Sequence, residues 1–175
     1  MRHLLAAVAL SVLPLTGPAR AWALDVTACA QAIPDHEIGL LQADVVCAPS
    51  ETIVLGRGSA LQLNGHTIAA ASSQNGQIGI ACPRGRCRIE GPGDVTGFGG
   101  VAIVGLAPSR LDVAGIAVHD NDGGVLGHPL TLTDVDLTGN GGWGASGKKL
   151  DASNVTADGN QGEGLAGWTL RLTDV

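Results

Sequence analysis

Tyrosine is absent from this 175-residue sequence, phenylalanine occurs once and tryptophan three times. A core built around large rings is thereby excluded, and so is a surface that stacks nucleic-acid bases on aromatic side chains. Charge is scarce too: Asp, Glu, Lys and Arg make up 15% of the chain, against about 25% in an ordinary globular protein. The balance is acidic, with a formal net charge of −6. That excludes nucleic acid and an anionic membrane surface as electrostatic partners. No apolar run reaches the roughly 20 residues needed to cross a bilayer. Yet 45% of the residues are apolar, which excludes a disordered chain. Glycine is plentiful, with 27 residues, about twice its usual share.

The first segment reads as an address. Arg2 and His3 form a short basic start, Leu4 to Leu15 is apolar apart from Ser11 and Pro14, and Ala21-Trp22-Ala23 is a small-x-small cleavage site. This is the three-part pattern of a secretory signal peptide spanning residues 1–23. Its removal takes Arg2 and Arg20 away and leaves a more acidic chain with no segment for membrane insertion. All four cysteines, Cys29, Cys47, Cys82 and Cys87, follow the cut. An even count in an exported chain predicts two disulfides with three alternative pairings. The local pairs Cys29–Cys47 and Cys82–Cys87 are favoured. The second would close the polar loop Pro83-Arg84-Gly85-Arg86.

A repeat of about twenty residues governs the rest. Residues 130–149 align with 150–169 and with the final segment 170–175, and 111–129 fit above them with one residue fewer. Leu111, Leu130, Leu150 and Leu170 share a column. So do Val113, Leu132, Ala152 and Leu172, then Ile116, Val135, Val155 and Val175, then Val118, Leu137 and Ala157. Within a repeat these positions alternate with Asp, Thr and Ser. That period of two, in runs too short for helices, predicts short strands with one face buried. Asn121, Asn140 and Asn160 form a further column, whose amides can bond from layer to layer as a ladder. Gly124, Gly142 and Gly162 are aligned next and read as a tight bend. A weaker copy at 87–105 puts Cys87, Ile89 and Val95 in the apolar columns and Phe98 where asparagine would stand. Residues 24–58 show no repeat and read as an N-terminal cap holding Cys29 and Cys47, with rungs over 59–175. A unit this short cannot bury its own apolar face, so it must stack on its neighbours. At about 4.8 Å per layer, roughly five to six rungs make a rod about 25–30 Å long. The chain stops six residues into a rung at Val175, which reads as an open or truncated end.

The run Leu61, Leu63, Asn64, Gly65, His66, Thr67 and Ile68, followed by the repeats, resembles the secreted bacterial β-helix-repeat proteins of the pectate-lyase-like superfamily. The resemblance covers roughly residues 52–175. It implies an all-β, right-handed parallel β-helix. It implies less about activity, because that superfamily holds lyases, hydrolases, epimerases and adhesins.

Candidate chemistry is sparse. Gly142 to Lys149 approaches a phosphate-binding loop, but Lys149 stands where Ser or Thr should hold the metal, and the glycines belong to the repeat. His119-Asp120-Asn121-Asp122 reads as a solvated turn, whose hard oxygens leave an isolated Ca²⁺ site as the one cofactor reading; otherwise no cofactor is expected. Asp134, Asn154 and Asp174 form a polar column with Asp136 nearby, where polysaccharide enzymes of the resembled superfamily carry carboxylates, but their recurrence suits turns better. Trp143 and Trp168 are each able to stack on a sugar ring. The residues placed against a glycan are therefore Trp143, Trp168, Asp134 and Asp136, with an extracellular polysaccharide as the partner. No catalytic set is assigned. The signature runs of alginate epimerases, pectate lyases and polygalacturonases are missing. The expectation is an exported, non-catalytic module at the cell surface, in the periplasm or outside the cell, in a structural, adhesive or glycan-contacting role. The alternative is the N-terminal part of a polysaccharide lyase, hydrolase or epimerase whose site lies beyond Val175. Nothing in the sequence fixes the oligomeric state.

Overall fold

The computed structural model describes residues 23–175, so the leader expected over 1–23 lies outside the described residues except for Ala23. The described chain is all-β, with no helix, and winds into a solenoid of about six turns. Strands β1 (Ala23–Val26) and β2 (Ala32–Ile33) start the stack. Turns of three strands follow: β3 (Ile38–Leu41), β4 (Val45–Cys47) and β5 (Ile53–Leu55); then β6 (Ala60–Gln62), β7 (His66–Ala70) and β8 (Ile80–Cys82). Next come β9 (Arg86–Glu90), β10 (Gly93–Thr96) and β11 (Val101–Gly105); then β12 (Arg110–Ala114), β13 (Ala117–His119) and β14 (Gly123–Leu126). Finally β15 (Leu130–Thr138), β16 (Ala145–Thr156) and β17 (Leu165–Thr173) run around corners without a break.

Every pairing is parallel, and the pairings define three faces. The first stacks β1, β3, β6, β9, β12 and the segments at 130–133, 150–153 and 170–173. The second stacks β4, β7, β10, β13 and the later part of β15. The third stacks β2, β5, β8, β11, β14 and the starts of β16 and β17.

The apolar columns meet turn upon turn. Leu111 pairs with Leu130, Leu130 with Leu150 and Leu150 with Leu170, while Val118 pairs with Leu137 and Val135 with Val155. Leu111, Leu130, Leu150 and Leu132 are wholly buried, as is Phe98, which occupies the asparagine column. Burying a leucine this completely contributes about 1.5–3 kcal/mol. In β15 and β16 the strict in–out alternation slips once at each corner: Thr133 with Asp134, Lys148 with Lys149 and Ser153 with Asn154 are exposed in succession. The corner between the first and second faces needs the left-handed conformation. Asp134, Asn154 and Asp174 adopt it with φ of 54°, 53° and 51°, and Gly115 stands a turn earlier at 67°. Asp and Asn tolerate that conformation better than other side chains, so this polar column is explained by backbone geometry.

Two details differ from the sequence reading. Residues 24–58 contain β1 to β5, whose strands pair in parallel with the later ones, so the stack starts at Ala23 and not near residue 59. No repeat was visible there because the turns are unequal. Corresponding residues lie 15 apart between Ala23 and Ile38 and 22 apart between Ile38 and Ala60, and beyond this region 28 apart between Gln62 and Glu90 and only 19 apart between Asn121 and Asn140. The long turn gains its extra length in the exposed excursion 71–76. That excursion is pinned on one side by the Ala71 N–H bond to Cys47 O at 2.8 Å and on the other by Gln77 Nε2 on Ala48 O at 3.0 Å. The glycine column also shifts: Val125 pairs with Ala145, so Gly124 meets Gly144, while Gly142 lies beside Asp122. At Gly144 a Cβ would sit 2.6 Å from Gly164 O and 3.1 Å from Leu137 Cβ, so the chain here passes too closely for any side chain.

The asparagines form a ladder at the corner between the second and third faces. Asn140 Oδ1 accepts from the backbone N–H of Asn121 at 3.2 Å and from its Nδ2 at 3.1 Å, and Asn160 Oδ1 accepts likewise from Asn140 at 3.1 and 2.9 Å. Phe98 N–H donates to Asn121 Oδ1 at 3.0 Å and closes the lower end. Asn140 is wholly buried. Two disulfides, Cys29–Cys47 and Cys82–Cys87, tie the early turns, and they point to an oxidising, non-cytoplasmic environment.

Replacing Asn140 by Ala strands buried donors of Asn121 and is expected to cost about 2–4 kcal/mol. Asn160→Ala, nearer solvent, should cost less, and denaturant titration of both variants checks the order. Loop entropy predicts about 3 kcal/mol lost in Cys29→Ser/Cys47→Ser and about 2 kcal/mol in Cys82→Ser/Cys87→Ser, read by the same titration.

Candidate functional site

Charge divides the surface of the stack. Every Lys and Arg among the described residues (Arg57, Arg84, Arg86, Arg88, Arg110, Lys148, Lys149 and Arg171) lies on the first face or on its edge with the third. The second face and its two corners carry Asp44, Asp94, Asp120, Asp136, Asp158 and others without a Lys or Arg among the described residues. On the first face, charges of opposite sign stand two residues apart and so point outward side by side. Arg88 Nη1 is 3.3 Å from Glu90 Oε1, Arg110 Nε is 3.1 Å from Asp112 Oδ1, and Lys149 Nζ is 3.5 Å from Asp151 Oδ2. Arg86 bonds the other oxygen of Asp112. Partial burial pushes the Asp112 carboxyl up, but the guanidiniums of Arg86 and Arg110 outweigh it and hold that carboxyl below the usual range.

Four surface recesses lie on this face or its edge. One, of about 250 Å³, is lined by His36, Glu37, Arg86 and Arg88, and another, of about 300 Å³, by Asp35, Val54, Pro83 and Arg84. Around the second of these, the Arg57 backbone N–H and the adjacent Arg84 hold the Asp35 carboxyl below its ordinary value despite slight desolvation. A groove of about 240 Å³ crosses three successive turns between Thr131, Thr133, Asp151, Ser153, Arg171 and Thr173. Asp151 Oδ1 there is shielded from solvent and has no hydrogen-bond donor; Arg171 Nε stands 4.0 Å away. Beside it, a recess of about 390 Å³ is lined by His128, Lys148 and Trp168. The Lys148 N–H donates to His128 Nδ1 at 3.0 Å, and its ammonium lies 5.5 Å from the centre of the Trp168 ring. Hydroxyls, a guanidinium and an indole can together hold a polyhydroxylated chain.

The residues expected against a glycan do not converge. Trp168 is 87% exposed at the edge of the first face. Trp143 is half-buried on the opposite corner, over Gly123, with its Nε1 lacking a partner. Asp134 sits at the corner after the first face, where its Oδ1 accepts from Asn154 Nδ2 at 2.6 Å, and Asp136 is on the second face. In the His119 to Asp122 stretch, Asn121 belongs to the ladder and His119 Nδ1 lies 2.8 Å from Asp120 Oδ2. Among the described residues, no three or more His, Cys, Asp or Glu side chains gather as metal ligands would. The segment 142–149 enters β16 as part of the repeat. His66 Nδ1 faces Asp44 Oδ1 at 3.3 Å. Sequence reading missed the paired charges, although Arg110/Asp112 and Lys149/Asp151 recur at one position of the repeat, with Arg88/Glu90 two residues further along its strand. No family model, curated protein or solved structure matches this chain.

Asp112→Asn should lower stability by about 1 kcal/mol near neutral pH, the size of a partly exposed ion pair. Because the folded carboxyl has the lower pKa, this contribution is present above about pH 4 and is lost as pH falls below it. Melting curves of the two proteins should therefore converge in strong acid and diverge toward pH 7.

Proposed function

We propose that the chain is an exported, non-catalytic β-helix module of the pectate-lyase-like type that holds an extracellular polysaccharide along its first face, acting outside the cytoplasm as an adhesive or structural element. The first-rung run Leu61 to Ile68 and the parallel solenoid support the family reading, and the disulfides support export. The observation that carries the glycan reading is the groove of Thr131, Thr133, Asp151, Ser153, Arg171 and Thr173, with Trp168 beside it. A polymer laid along the stack meets hydroxyls and charges at intervals of about 4.8 Å, one turn after another. Glu90, Asp112 and Asp151 on this face are each engaged by Arg or Lys, which suits them to orient hydroxyls.

Affinity electrophoresis of the exported protein through gels containing neutral and uronic-acid polysaccharides tests this. The expected result is retardation by at least one polymer, weakened about tenfold in Trp168→Ala and in Arg171→Ala and unchanged in Trp143→Ala. No retardation by any polymer would overturn the reading. Ultraviolet absorbance from unsaturated sugar products, or release of reducing ends, would replace it with a lyase or hydrolase.

A further inference from the structure

The third face is a strip without charge. Its outward column runs Val54, Ala81, Val104, Leu126, Ser146 and Ala166, each the register partner of the next. Val54 is 38% exposed and no described residue covers it, while Val104 in the middle of the column is buried. The two flanks of the strip differ in sign. The corner leading into it carries Glu51, Asp122 and Glu163, and the edge leaving it carries Arg57, Arg84 and Lys148 with one carboxylate, Asp35, held 3.5 Å from Arg84, so that edge stays net basic. Glu51 and Arg57 flank one strand, β5, so they stand at the same height on opposite sides.

We infer that this face binds a second copy of the chain, in a two-fold dimer whose axis runs along the solenoid. Charge selects that arrangement. When two third faces meet about an axis parallel to the stack, the acidic corner of each copy lies over the basic edge of the other, and levels match. An axis across the stack would set acid against acid and base against base. An isologous contact needs only this one self-complementary surface. The strip itself, about 29 Å high and about 13 Å wide, covers only about 400 Å². That is half of what each partner contributes in a standard interface. The charged flanks must therefore supply much of the association, which makes it salt-dependent. The groove between Thr131 and Thr173 stays open in such a dimer, while the recess of Lys148 and Trp168 borders the contact.

Sedimentation velocity of the exported protein over a concentration series tests the dimer. A reversible dimer that dissociates with added salt is expected. Leu126→Asp should give a monomer while circular dichroism and melting stay native, as suits an outward position. Glu51→Lys and Arg57→Glu should each weaken the dimer about tenfold, and the two together should restore it, since each swapped flank meets its new opposite. A monomer at every concentration overturns the inference. So does a dimer indifferent to Leu126→Asp, or a double swap weaker than either single change.

Discussion

Parallel backbone pairing at one strand spacing forces like positions of successive turns into contact. Every other property of this molecule follows from that constraint. A turn of about twenty residues is too short to enclose a core, and its inward leucines and valines leave water only because the turns above and below cover them. The same stacking decides what the chain cannot contain. Rings are nearly excluded from so narrow an interior, and the one phenylalanine enters where the asparagine ladder ends. Polar groups inside must satisfy one another vertically, which is what Asn121, Asn140 and Asn160 do.

The constraint also acts on the outside. A charge placed at one position of the repeat lies about 4.8 Å from its counterpart on the next turn, so like charges in a column repel. The first face relieves this by setting Arg or Lys beside Asp or Glu in β9, β12 and β16 and by varying sign between turns, as in Asp112, Thr131, Asp151 and Arg171. The second face separates its carboxylates with Thr and Ala. The third face carries none. The result is a rod whose sides have different chemistries although one repeat builds them all.

Much of this was legible in the residues. Leucine at 111, 130, 150 and 170, with alternating polar neighbours, announces both strands and stacking, and the asparagine column announces the ladder. Reading failed where spacing became irregular. Between 24 and 58 the turns differ in length, so strands that join the stack looked unrelated to it. The adjacent glycines at 123 and 124 allowed an alignment two residues away from the true one. The site was harder to see than the fold, because a column seen in sequence does not say which side of the rod it occupies. Trp143 and Trp168 fall in different columns of the repeat and stand on different corners in space. Asp151 and Arg171 share a column with Asp112 and Thr131, and their meaning depends on a groove that no spacing reveals.

The excursion at 71–76 leaves the stack and returns to it without disturbing the pairing of β7 or β8 with their neighbours. Fastened at its two feet, and again where the Gly76 N–H donates to Gly99 O at 3.0 Å, it lies against the next turn with its outer side exposed. A scaffold of this kind can accept added sequence as it would a pendant, at one corner and at any length, so new recognition elements can be grafted there while the rod beneath keeps its pitch.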